Sequence, residues 1–191
     1  MSGKKIRSQN SYSGAGMPVV GFLALFVLLV LLFFRNTLSF GGNSVIQGCD
    51  LVQTYYQKLL YVESLRQGTL PLWNPFLYCG YPFLAHPYNG TFYPLNFLFL
   101  TMPVHTAYAW IFALHVLLGG IFMFYLVRYL VRDRWAACGA ALCFMFSGFT
   151  ATRIWAGHFE VYTTTIWIPL ILFLFLKTIR LRSMGYLFLT M

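Results

Sequence analysis

Along this chain the apolar residues fall into long uninterrupted runs and do not alternate with polar ones. Met17–Phe34 carries no charge, and Pro18 stands near its start, where a missing N–H does no harm. Further runs cover Thr106–Val127, Trp135–Thr152 and Val161–Leu176, and residues 184–191 begin a fifth. A hydrocarbon core about 30 Å thick takes roughly 20 residues of helix. The pattern therefore predicts an all-α polytopic transmembrane protein with spans at 17–34, 106–127, 135–152 and 161–176. With a fifth span only begun, the chain reads as the amino-terminal portion of a longer protein, or as a fragment inactive on its own.

Four polar connections separate these runs, at 35–105, 128–134, 153–160 and 177–183, after a tail at 1–16. About seventy residues is too long for an idle loop, and 35–105 divides in two. Over 50–67, Leu51, Val52, Tyr55, Leu59, Val62 and Leu65 recur at spacings of one, three or four. Gln53, Lys58, Glu63 and Arg66 supply polar groups, and Gly68 and Pro71 end the run. This predicts an amphipathic helix, lying in the membrane interface or packed on the rest of the protein. Leu70–Pro103 holds six of the eight prolines, interleaved with tyrosine, phenylalanine and tryptophan. Proline prevents long helices. Tyr and Trp favour the headgroup region. The expectation is an ordered, irregular loop that covers or lines a site.

Composition narrows the class. Hydrophobic residues make up 59% of the 191 and charged ones only 9%, against about 25% in soluble domains. A water-soluble globule is excluded, and so is intrinsic disorder. The net charge of +9 is distributed by side. Lys4, Lys5, Arg7, Arg128, Arg132, Arg134, Lys177, Arg180 and Arg182 fall on one side of the expected membrane, and Arg35, Lys58, Arg66 and Arg153 on the other. The positive-inside rule puts the first group in the cytoplasm, with the N-terminus. The basic n-region before Met17–Phe34 raises a cleaved signal peptide as an alternative. The run is long for one and no A-x-A-like site follows, so a retained span is preferred. Charge that sets topology leaves no need for a nucleic-acid partner.

Acids contribute little to orientation, and Asp50, Glu63 and Glu160 fall on the outer side. Asp50 stands at the start of the amphipathic helix. It reads either as a general base at the membrane surface or as a helix N-cap with Gln53 at N3. Arg153, His158 and Glu160 crowd one short outer turn, and ionisable groups at a membrane edge point to function. Arg153 suits bidentate phosphate binding; its alternative is snorkelling to the interface. His86 and His105 give weaker signals, and His115 reads as a buried histidine bonded to a neighbouring helix. Gly119 and Gly120 would permit close helix packing. Cys49 and Cys79 are both external, so a disulfide is open, with free thiols preferred. Asn89-Gly90-Thr91 matches the N-glycosylation pattern. Nucleotide-binding loops, the G-x-S-x-G elbow and H-E-x-x-H are absent, so no nucleotide cofactor is implied and no metal site is assigned.

An ordered set of fragments adds a resemblance. Gly48-Cys49-Asp50 is followed by Leu70-Pro71-Leu72-Trp73-Asn74-Pro75, Gly80-Tyr81-Pro82 and Gly90-Thr91-Phe92-Tyr93-Pro94-Leu95-Asn96. Phe146-Ser147-Gly148-Phe149 and Gly157-His158 come next. Together they resemble the amino-terminal part of the YfhO-type bacterial membrane-protein family, itself similar to the GT-C membrane glycosyltransferases. The resemblance implies a multi-pass protein of the bacterial cytoplasmic membrane with a large first outer loop. It implies a polyprenyl-phosphate-linked sugar as donor and a cell-envelope polymer as acceptor. It implies a catalytic Asp50 and a second outer motif at His158 and Glu160; with Arg153 read from the same turn, Arg153, His158 and Glu160 are expected to bind substrate. The His-Phe-Glu sequence at 158–160 is not the paired-acid form of some metal-dependent relatives, which leaves a divalent metal open. The rival expectation is a non-enzymatic polytopic protein, a transporter of lipid-linked substrate or an assembly subunit.

Overall fold

The computed structural model describes residues 17–38 and 48–181. The expected tail at 1–16 and the start of a fifth run at 184–191 lie outside the described residues. Among the described residues eight helices run in order: α1 (Val19–Phe33), α2 (Cys49–Arg66), α3 (Leu98–Thr101), α4 (Val104–Val131), α5 (Arg134–Met145), α6 (Gly148–Ala156), α7 (Phe159–Thr165) and α8 (Ile168–Leu181). A two-residue antiparallel pairing, β1 (Trp73–Asn74) with β2 (Tyr81–Pro82), lies between α2 and α3. Two 3-10 turns follow it, at Pro87–Asn89 and Pro94–Phe97.

Three helical stretches are long and apolar enough to cross a membrane: Val104–Val131, Arg134–Ala156 and Phe159–Arg180. The expected first span is shorter as a helix. Pro18 caps α1 with extended backbone, and the 15 residues of α1 rise about 22 Å. Below it the chain continues in turns bonded to the Val30 and Phe34 carbonyls.

The two expected spans at 135–152 and 161–176 are each broken. Ser147 takes an extended conformation and accepts from the Thr150 N–H, so one helix ends and α6 begins. Between α7 and α8 the break falls just before Pro169, whose missing N–H interrupts the ladder. The expected outer turn 153–160 reduces to two non-helical residues, Gly157 and His158.

α4 is the central helix, packed chiefly on α5 and also on α8 and α1. Gly119 and Gly120 make the approach to α5 possible. A Cβ on Gly120 would collide with Met145, and one on Gly119 would press on Phe144. The core is largely aromatic. Phe22 and Phe26 of α1 meet Phe124, and Trp135 stands edge-on to Phe22. A second cluster puts the Phe159 ring 4.9 Å from Tyr108 and 5.4 Å from Phe112. Large apolar side chains remain uncovered along α1 (Leu28, Leu31, Leu32, Phe33) and α8 (Ile171, Leu172, Phe175, Ile179), which suits helices facing lipid.

One end of the bundle is basic. Arg134 reaches the Met17 carbonyl, and Arg180 lies over the Tyr129 ring. The start of α1 therefore shares an end with the α4–α5 turn and the end of α8, where Arg128, Arg132 and Lys177 also fall. The candidate site lies at the other end.

Candidate functional site opposite the basic end of the bundle

Two glycines bring the site together. Gly48, in extended conformation, is the N-cap of α2. A Cβ there would collide with the backbone of Ala156 and Gly157. Gly157 has φ of 79°, and a Cβ on it would come 2.8 Å from Leu51. Only residues without side chains let the start of α2 sit directly on the α6–α7 turn.

The N-cap reading of Asp50 is corrected by this geometry. Gly48 occupies that position and no side chain caps the helix. Asp50 lies within the first turn, where the helix dipole favours a carboxylate, and its side chain is turned to another element.

That element is a Schellman motif. The Gly157 N–H donates to Ile154 O and the His158 N–H to Arg153 O. This closes α6 and fixes Arg153 and His158 beside each other. Arg153 Nη1 donates to His158 Nδ1 at 2.5 Å, and its guanidinium lies 5.1 Å from the centre of the Phe149 ring. A guanidinium only donates, so Nδ1 is the bare nitrogen. His158 Nε2 then carries the proton and donates to Asp50 Oδ2 at 2.8 Å. The result is a relay, guanidinium to imidazole to carboxylate, with the imidazole neutral. Asp50 is 63% exposed and His158 31%.

The relay borders a cavity of about 410 Å³ that Gln53, Gln57, Tyr78, His86 and Glu160 also line. α2 supplies Asp50, Gln53 and Gln57 to this cavity; Gln53 donates to the Tyr78 hydroxyl and Gln57 to the Tyr81 hydroxyl. Of the four residues singled out in the sequence, Asp50, Arg153 and His158 form one chain of contacts. Glu160 lines the same cavity, in the first turn of α7 and facing Lys58, without bonding to the other three. Arg153 Nε and Glu160 Oε1 are buried without a hydrogen-bond partner among the described residues.

His86 joins the cavity wall, while His105 is exposed at the start of α4. His115 donates from Nδ1 to Ile111 O and accepts at Nε2 from the Tyr93 hydroxyl, both at 2.6 Å. Its partner is thus the aromatic loop, and the expected neighbouring helix makes no bond to it. Asn89, expected as a possible glycosylation acceptor, is buried and donates to Phe83 O at 2.6 Å. Its amide has no access to a modifying enzyme in this fold. Cys79 is a free, exposed thiol. No three His, Cys, Asp or Glu side chains among the described residues are grouped to hold a metal ion.

Lys58 is the residue that sequence reasoning missed. Counted there among the polar positions of α2, it is only 2% exposed. Nζ donates to Asn89 O at 2.6 Å and lies 5.6 Å and 5.8 Å from the ring centres of Phe99 and Phe159. Burial lowers its pKa from 10.5 to about 8, against the opposing charge of Glu160. A signal was present, because Lys58 stands on the stripe Leu51–Tyr55–Lys58–Val62–Leu65 that faces inward.

No protein-family model, no curated protein and no solved structure matches this chain.

Proposed function

We propose that the chain belongs to the class of membrane-embedded transferases that use a surface carboxylate as general base. The particular reaction is glycosyl transfer from a polyprenyl-phosphate-linked sugar to a hydroxyl of a cell-envelope polymer, on the outer face of the bacterial cytoplasmic membrane. The YfhO-type resemblance supplies the substrate classes. The observation that carries the proposal is the Asp50 carboxylate, exposed on a cavity and held by the His158–Arg153 relay.

In this reaction Asp50 accepts the proton of the acceptor hydroxyl. The hydroxyl oxygen bonds to the anomeric carbon as the bond from that carbon to the phosphate oxygen breaks. The released polyprenyl phosphate keeps the electron pair. His158 acts as a positioning residue, because both its ring nitrogens are already engaged. Arg153, which lines the same cavity, supplies positive charge to the departing phosphate. Glu160 is left to bind sugar or acceptor. The basic end of the bundle faces the cytoplasm in this proposal.

General-base catalysis is worth about 10²–10⁴ in rate. Asp50→Asn should therefore lower transfer in protein-containing membranes by at least about a hundredfold, with the amount of inserted protein unchanged. Undiminished transfer to the acceptor would end the proposal in favour of the non-enzymatic reading.

A further inference from the structure

A second, smaller cavity of about 220 Å³ adjoins the first and shares Tyr88 and Glu160 with it. Lys58, Tyr93, Asn96 and Trp167 complete its working surface. Nothing in the relay of Asp50, His158 and Arg153 uses this space. It lies below the roughly 300–1,000 Å³ of pockets for drug-sized ligands, so it suits one small group.

The charges inside it restrict what that group is. Lys58 is a buried ammonium with one of its three donors directed to Asn89 O. The acidic side chain of Glu160 faces it, with Oε1 buried and unpartnered among the described residues. An anion in this cavity would meet Glu160, and a cation would meet Lys58; either would carry an uncompensated buried charge. A neutral group with both donors and acceptors satisfies both residues. Asn96 adds a second demand for a donor. It is 2% exposed, its Nδ2 donates to Gly90 O, and its Oδ1 has no partner among the described residues. Tyr88, Tyr93 and Trp167 offer aromatic surface to C–H bonds. Adjacent hydroxyls on a ring with apolar C–H faces are the chemistry of a neutral monosaccharide.

We propose that this cavity seats the ring of an uncharged sugar, with Lys58 donating to its hydroxyls and Glu160 and Asn96 accepting from them. The role as donor-sugar pocket rests on the transferase reading, whereas the binding itself does not. Sugars with a carboxylate, phosphate or amine on the ring are excluded by the same two charges.

The test uses the purified protein in a phosphocholine detergent, free of sugar. Saturation-transfer NMR is recorded with glucose, galactose, mannose and N-acetylglucosamine, and with glucuronic acid, glucose 6-phosphate and glucosamine as charged counterparts. At least one neutral sugar should bind at least about tenfold more tightly than its charged counterparts, and Lys58→Met and Glu160→Gln should each weaken it by a similar factor. Should Lys58→Met fail to fold, the near-isosteric Glu160→Gln decides. Absence of binding by all four neutral sugars overturns the inference. So does equal binding of charged sugars, or undiminished binding by a folded Glu160→Gln. Asp50→Asn separates the two proposals. If it transfers normally while sugar still binds, the transferase reading falls and the pocket stands; if it abolishes transfer in a protein that binds no sugar, the pocket assignment falls alone.

Discussion

His158 spends both ring nitrogens on neighbours, one on Arg153 and one on Asp50. Its contribution is therefore orientation of the Asp50 carboxylate. His158→Gln, which can still donate to Asp50, should retain more transfer than His158→Ala. Transfer rates of the two variants at equal protein levels check this; an equal loss in both would assign the histidine a purely structural part.

Lys58 gives a second prediction at this scale, on stability. Its folded pKa of about 8 lies below the unfolded 10.5, because burial disfavours the charged amine. Between those values the unfolded chain binds more protons, so stability rises with pH through that window. Below about pH 8 the penalty is fully present, on the order of 3 kcal/mol. Denaturant unfolding in detergent at pH 7.5 and 10 should show the rise, and Lys58→Met should remove it.

Among the elements, the approach of α2 to the α6–α7 turn is the joint on which the site depends. Gly157→Ala places a side chain at a left-handed φ, worth about 1–2 kcal/mol of strain, and also against Leu51. It should lower the unfolding midpoint and reduce transfer together. Gly48→Ala leaves the backbone in an ordinary extended conformation but still collides with Ala156. It should therefore also reduce transfer and lower the unfolding midpoint, which activity and circular dichroism on the same preparations will measure. The sequence placed a helix at 50–67, and the chain forms α2 over Cys49–Arg66. What it did not reveal is which face turns inward. Val52 and Leu59 are exposed while Gln57 and Lys58 are buried, because the loop between α2 and α3 covers α2 and supplies the Tyr81 hydroxyl and the Asn89 carbonyl as their partners. The breaks at Ser147 and before Pro169 carried local signals, a capping residue and a missing donor. Both were hidden inside stretches apolar enough to read as single spans.

For the molecule as a whole, the proposed topology places Cys79 outside and the basic end inside. In a Cys49→Ser background, a membrane-impermeant maleimide should label Cys79 in intact cells, and the further change Cys79→Ser should remove the label. Labelling only after permeabilisation would reverse the orientation and put the Asp50 cavity in the cytoplasm.

The membrane class was determined by the sequence alone. It depends on how many consecutive apolar residues stand in a row, a local property that no later packing alters. The crowding of Arg153 and His158 was also local, since a Schellman turn joins residues five apart. The partnership of His158 with Asp50 was decided by tertiary structure, because it requires two distant backbones to touch at Gly48 and Gly157. The burial of Lys58 was decided there too. A lysine on a helix is stable in water or inside, and only the rings, carbonyl and carboxylate that close around it determine which.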